Sequence, residues 1–131
     1  MNRVRNPLRG SGLALEIDDI LAGVLGSPEV FSAHDPTGSR YLVAHTSGRG
    51  RAGTWLCASV TERALACVRS GRAELRDAIA HSATGVVEQV TVSTRPGRRP
   101  EFHESLRLCR DLAEEELPHA GIRFGLPARC A

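Results

Sequence analysis

Lysine is absent from this sequence of 131 residues, and all 17 of its basic residues are arginine. Without a lysine amine, the protein cannot form a Schiff base, and it cannot supply the lysine of a phosphate-binding loop. A GC-rich genome is the simplest explanation of this composition. The absence therefore excludes two kinds of chemistry and indicates no other.

Aromatic residues are scarce as well, at 4%, so the core has to be built from aliphatic side chains. No two of the four cysteines form a C-x-x-C pair, which argues against a metal knuckle or a thioredoxin-like site. No apolar run reaches the length of a signal peptide or a membrane span. We therefore expect a cytoplasmic protein with reduced thiols, no membrane association and no cofactor.

A β-hairpin is the clearest local signal in the chain. Residues 30–34 and 40–45 are β-leaning runs, and Asp35-Pro36-Thr37-Gly38 lies between them. Asp at the first position, Pro at the second and Gly at the fourth are typical of a type I turn. The pattern predicts a hairpin with a small bulge, in which Gly38 has a positive φ.

Helices are predicted on both sides of this hairpin. Apolar residues recur at helical intervals before it, at Ile17, Ile20, Leu21, Val24 and Leu25. Further strands are expected at 54–60 and 86–92, with two short helices between them. The prediction is an α+β fold, with a small, mainly antiparallel four-stranded sheet and helices packed on one face.

Four segments follow from these patterns. They are a flexible basic arm at 1–12, an α+β core domain at 13–93, a linker at 94–100, and a C-terminal helix and tail at 101–131 packed on the core.

Part of the core resembles a small bacterial domain family of unknown function. The resemblance covers somewhat under half of the chain, and it implies an α+β fold but no activity, substrate or catalytic residue. The residues that carry it are Asp35-x-x-Gly38-x-Arg40-Tyr41-Leu42, Trp55-Leu56, Val60-Thr61-Glu62-Arg63-Ala64-Leu65, Gly71 and Leu75-Arg76-Asp77.

Two arginine clusters are candidate anion-binding sites. Arg49 and Arg51 lie in a glycine-rich loop, and Arg95, Arg98 and Arg99 lie in the proline-containing linker. Guanidinium groups bind phosphate and carboxylate bidentately, so these residues suggest weak, salt-sensitive contact with nucleic acid or an acidic surface. The net charge of only +2 does not require such a partner.

Histidines and cysteines provide a second alternative, an enzyme whose site is assembled only in three dimensions. His34 and His45 flank the hairpin, and cross-strand pairing would bring them together, with Cys57 or Glu88 as a further ligand or partner. No H-E-x-x-H spacing or serine-nucleophile motif is present. No catalytic or metal-binding residue is therefore assigned.

The leading functional hypothesis rests on the predicted helix at 101–117. Leu108 and Leu112 lie beside its main apolar stripe and widen the apolar arc beyond what one packing surface needs. The predicted N-terminal helix of the same chain could cover them, and otherwise their neighbour is another protein or a second copy. The main stripe consists of Phe102, Leu106, Cys109, Ala113 and Leu117. The sequence thus favours a non-enzymatic protein-interaction module, which binds another protein or a second copy of itself through Leu108 and Leu112.

Overall fold

A six-stranded antiparallel sheet forms the protein in a computed structural model that describes residues 6–24 and 26–125. The strands follow one another across the sheet in chain order. The predicted four-stranded α+β fold is therefore wrong, because two segments expected to be helices are strands and the described residues contain only two short α-helices. The strands are β1 (Glu16–Val24), β2 (Ser27–His34), β3 (Arg40–Ser47), β4 (Gly53–Ser59), β5 (Val86–Ser93) and β6 (Glu101–Leu108).

The predicted hairpin joins β2 to β3. The backbone N–H of Gly38 donates to the carbonyl oxygen of Asp35 at 2.9 Å, and Gly38 has a φ of 88°, as expected. The Asp35 carboxylate accepts hydrogen bonds from the backbone N–H groups of Thr37 and Ser39. The turn is therefore held by its own side chains, which explains why its sequence signal was strong.

Two short helices connect β4 to β5, as predicted: α1 (Glu62–Arg69) and α2 (Leu75–Ala80). The hydroxyl of Thr61 caps α1 by accepting from the N–H of Ala64 at 3.0 Å. Both helices pack on one side of the sheet, which we call the helix face. The buried residues shared by the helices and this face include Leu42, Ala44, Leu56, Leu65, Val68, Leu75, Ile79 and Val87.

The opposite side of the sheet, the arm face, is partly covered by residues 6–15, which we call the arm. Leu8 and Leu15 of the arm join a buried cluster on this face, and Leu8 is completely buried. The other buried members are Phe31, Ala33, Val43, Trp55, Cys57, Val90 and Val92. Within the predicted segment 1–12, residues 6–12 thus belong to the packed structure, and residues 1–5 lie outside the described residues.

The predicted N-terminal helix is instead β1, and its irregular pairing explains the error. The register between β1 and β2 shifts at three points, so extra residues interrupt the strict alternation of faces. Ile17 and Ile20 therefore lie on the arm face although they are three residues apart, whereas Leu21 and Ala22 pack on the helix face. A bulged strand has here produced the spacing of a helix.

The predicted helix at 101–117 is also wrong. Residues 101–108 form β6, and two short 3-10 helices follow at Cys109–Asp111 and Glu114–Glu116. Residues 94–100 form the loop between β5 and β6, and part of the chain after β6 packs on the helix face through Cys109, Leu112, Leu117, Ile122 and Phe124. The helix-forming residues of 101–108 adopt a strand because β5 offers them an unbroken ladder of eight residue pairs.

Candidate interaction surfaces

The backbone of β6 exposes an edge that is open among the described residues. The N–H of Cys109 donates to the carbonyl oxygen of Gly85 at 2.9 Å. Because hydrogen-bonded residues alternate along an antiparallel strand, the odd-numbered residues of β6 are the ones whose backbone groups bond to β5. The N–H and C=O groups of the alternate residues point away from the sheet. These residues are Phe102, Glu104, Leu106 and Leu108, and no backbone hydrogen bond to another described strand engages them.

The two outer strands of the sheet differ in regularity. β1 carries three register shifts, and such bulges distort an edge so that another strand cannot add to it. β6 pairs with β5 through eight consecutive residues without a shift. Of the two edges, β6 therefore presents the straighter template for another strand.

Apolar side chains accompany this open edge. Leu106 is 68% exposed and Leu108 is 40% exposed, and both lie on the arm face beyond the part that the arm covers. Their cross-strand neighbours on β5 are Glu88 and Val86. We call these four residues the β6 patch. Exposed apolar surface that adjoins open backbone groups is typical of sites where a partner strand binds.

Glu88 gives the β6 patch a titratable group. Partial burial raises the pKa of the Glu88 carboxyl, and the nearby carboxylate of Glu104 raises it further. Among the described residues, no arginine or histidine forms an ion pair with Glu88. The ionised form of the Glu88 carboxyl is therefore destabilised within the β6 patch.

The sequence-predicted arginine clusters meet at one end of the sheet. In a meander the β3–β4 and β5–β6 loops emerge at the same end, and Gly53 is paired with Val92 directly below them. The ion pairs between described residues use other arginines. Five arginines at this end have no ion-pair partner within the described ranges. We call them the basic end: Arg49, Arg51, Arg95, Arg98 and Arg99.

Arg51 has a structural role within the basic end. Its Nη2 donates to the carbonyl oxygens of Pro7 at 2.9 Å and Arg9 at 3.2 Å, and its guanidinium carbon lies 5.5 Å from the ring centroid of Phe102. The indole N–H of Trp55 donates to the carbonyl oxygen of Arg51 at 2.9 Å. Arg51 thus fastens the arm to the sheet, and the other four arginines are exposed.

His34 and His45 do not come together. The register places His34 opposite Arg40 and His45 opposite Trp55, and His45 stacks on the indole at 4.2 Å between ring centroids. His34 instead bonds through Nδ1 to Asp18, at 2.7 Å. Among the described residues, no group of three or more histidines, cysteines and carboxylates is arranged to hold a metal ion.

The described cysteines make no hydrogen bond to these histidines. Cys57 is buried in the sheet opposite Glu88, and burial, followed by the charge of Glu88, raises the pKa of its thiol above the ordinary value. Cys57, Cys67 and Cys109 are free thiols, and Cys130 lies outside the described residues. Within residues 6–24 and 26–125, the geometry therefore joins neither His34 nor His45 to a cysteine by a hydrogen bond.

Leu108 and Leu112 lie on different surfaces. Leu108 belongs to the β6 patch, whereas Leu112 follows the first 3-10 helix and packs against the helix-face core. Leu106 was not predicted as a surface residue, because a helix at 101–117 would have placed it in the apolar stripe that packs on the sheet. The available signal was the alternation of apolar Phe102, Leu106 and Leu108 with polar residues at the odd positions.

Comparisons of the chain with protein-family models, with curated proteins and with solved structures gave no match. Within the described residues, neither helix has the length and apolar character needed to cross a membrane.

Proposed function

We propose that this chain is a non-enzymatic protein-interaction module and that β6 is its binding edge. The observation that carries the proposal is the unbroken strand whose outward backbone groups belong to the same residues as the exposed Leu106 and Leu108 side chains. An added strand gains affinity from main-chain hydrogen bonds and specificity from the side chains beside them. Both requirements are met on β6.

The energetic contribution of the β6 patch is large enough to matter. Burying a leucine side chain fully stabilises an interface by about 1.5–3 kcal/mol, so Leu106 alone can change a dissociation constant by roughly tenfold or more. Glu88 and Glu104 add negative charge beside this apolar surface.

A charge substitution on β6 tests the proposal. The bait is the full chain, used to recover binding proteins from a lysate of the native bacterium, and the variant is Leu106→Glu. The matched control is Val24→Glu, because Val24 is equally exposed at 68% but lies on the bulged edge strand β1. We expect the native chain and Val24→Glu to recover the same protein and Leu106→Glu to lose it. Equal recovery by all three would refute β6 as the binding edge.

The basic end supports a second candidate function, binding to nucleic acid or another acidic surface. Arg49, Arg95, Arg98 and Arg99 are exposed and are brought together by the meander. If all four contact phosphates of duplex DNA, the logarithm of the affinity should fall with the logarithm of salt with a slope of about −3.6.

An electrophoretic shift series across salt measures that slope. Arg98→Ala should remove one phosphate contact and so reduce the magnitude of the slope by about 0.9. Arg110→Ala is the control, because Arg110 is exposed but follows the opposite end of β6. Binding that is absent at low salt, or that both substitutions weaken equally, would exclude the basic end as the binding site.

The free thiols and the resemblance to a bacterial domain family favour a bacterial cytoplasmic setting for either function.

A further inference from the structure

We infer that the strand that adds to β6 is β6 of a second copy of this chain, running antiparallel, with Glu104 opposite Leu106 of the second copy. This inference rests on the proposed function and specifies its partner. A two-fold axis would then pass beside Ser105, and the two sheets would join into one continuous sheet.

This register is the one that uses the edge completely. Each strand has four outward-facing residues, and each of these offers one N–H and one C=O group. Together they would form about eight hydrogen bonds between the copies. Phe102 pairs with Leu108 of the second copy at both ends of the contact. No like-charged carboxylates are directly opposed.

The neighbouring registers are less favourable. Moving the pairing by two residues in one direction places Glu104 opposite Glu104 of the second copy, and it requires Pro100, which has no N–H, to pair with Leu108. Moving it by two residues in the other direction retains only about six hydrogen bonds and leaves Phe102 unpaired.

Side chains on both faces fit the preferred register. On the arm face, Leu108 meets the half-buried Phe102 of the second copy, and the two Leu106 side chains, like the two Glu104 side chains, are diagonal neighbours. Glu104 faces Leu106, but its carboxylate already accepts from the N–H of Gly12 and is held toward the arm. On the helix face, the exposed Glu101 is diagonal to Arg107 of the second copy, which brings opposite charges together.

Disulfide trapping tests both the partner and the register. Residues directly opposite in a non-hydrogen-bonded antiparallel pair have Cα atoms about 4.5 Å apart, so two Ser105→Cys side chains can form a disulfide across the axis. His103→Cys is the matched control. His103 is exposed on the same face, but the two copies of residue 103 would lie roughly 14 Å apart along the strand. The native cysteines are present in both variants, so the oxidised native chain measures the background of disulfide linkage.

We expect Ser105→Cys to give a covalent dimer on mild oxidation, His103→Cys to give only the background of the native chain, and light scattering to give the dimer mass at tens of micromolar. Leu106→Glu should reduce the dimer fraction at least tenfold while leaving the fold intact by circular dichroism. A monomeric mass, or a dimer in which Ser105→Cys does not link, would overturn the inference.

The inference and the proposed function can fail separately. A monomer whose lysate partner is still lost with Leu106→Glu contradicts self-pairing and retains β6 as the edge for another protein. A monomer whose partner is unaffected by Leu106→Glu contradicts both.

Discussion

Replacing Leu8 by alanine should release the arm from the sheet. Leu8 is completely buried, in the same cluster as Trp55, and the arm is further held by the buried Leu15 and by several hydrogen bonds to the sheet. Two of them are the hydrogen bonds from Arg51 to the carbonyl oxygens of Pro7 and Arg9. Truncation of a fully buried leucine to alanine costs about 2–5 kcal/mol, which exceeds the roughly 1 kcal/mol that each such hydrogen bond contributes.

The loss of stability has an upper limit, because the arm can leave without unfolding the sheet. Once the cost of the cavity exceeds the free energy of docking, the arm detaches and no further stability is lost. We expect the free energy of unfolding to fall by about 3 kcal/mol, which lowers the urea midpoint by roughly 1–2 M.

Trp55 reports this event directly, since it is the only tryptophan and is fully buried. When the arm detaches, water reaches the indole, and its fluorescence emission should move to longer wavelength in buffer without denaturant. Val24→Ala is the control, because it truncates an aliphatic side chain that is 68% exposed and lies outside both the arm and β6, and it should shift neither emission nor midpoint. An unchanged emission maximum together with an unchanged urea midpoint for Leu8→Ala would refute the role of the arm.

Three further substitutions and labels test other parts of the structure. Gly38→Val should cost about 1–2 kcal/mol of strain from the positive φ alone, since a Cβ there would meet open space, and an unchanged melting temperature would contradict this. Cys57 should be alkylated far more slowly than Cys67 in the folded protein, because burial raises the pKa of its thiol, and equal rates by mass spectrometry would be inconsistent with its burial. Glu88→Gln should stabilise the protein at pH 7, because the pKa of Glu88 is raised on folding and its ionised form is disfavoured. That gain should vanish as the pH falls through the folded pKa toward the unfolded value near 4.5, and a urea midpoint difference that grows on acidification would oppose the assignment.

Sequence reasoning succeeded where a local interaction decides the structure. The turn at Asp35 to Gly38 is held by the Asp35 carboxylate, and α1 begins at Thr61 because its hydroxyl caps the helix. Both interactions join residues within four positions of each other, so the sequence alone contains them.

The errors at β1 and β6 arose where distant pairing decides the structure. The bulges of β1 reproduce the three- and four-residue spacing of a helix, and only the pairing with β2 distinguishes the two. In β6 the residues favour a helix intrinsically, but eight consecutive pairs with β5 override that preference. Tertiary pairing is not encoded in the periodicity of one segment.

The candidate surfaces were predictable in part. The arginine clusters were visible as composition, but their meeting at one end depends on the meander. Leu108 was identified, although as part of a helix, and its true neighbour Leu106 follows from the two-residue alternation of a strand. Leu112 was expected beside Leu108, yet the chain turns after β6 and takes it to the other face of the sheet.

The chain-order arrangement of the strands also shapes the folding reaction. Each strand pairs with the next in sequence, so four of the five pairings close short loops and can form early. The connection from β4 to β5 is the exception, since it includes α1 and α2 and spans residues 60–85. Closing it costs about 1.5 kcal/mol more chain entropy than closing the turn after β2. We therefore expect the β4–β5 pairing to limit the folding rate, so that helix-stabilising substitutions in this connection accelerate folding, whereas equally stabilising changes in the arm slow only unfolding.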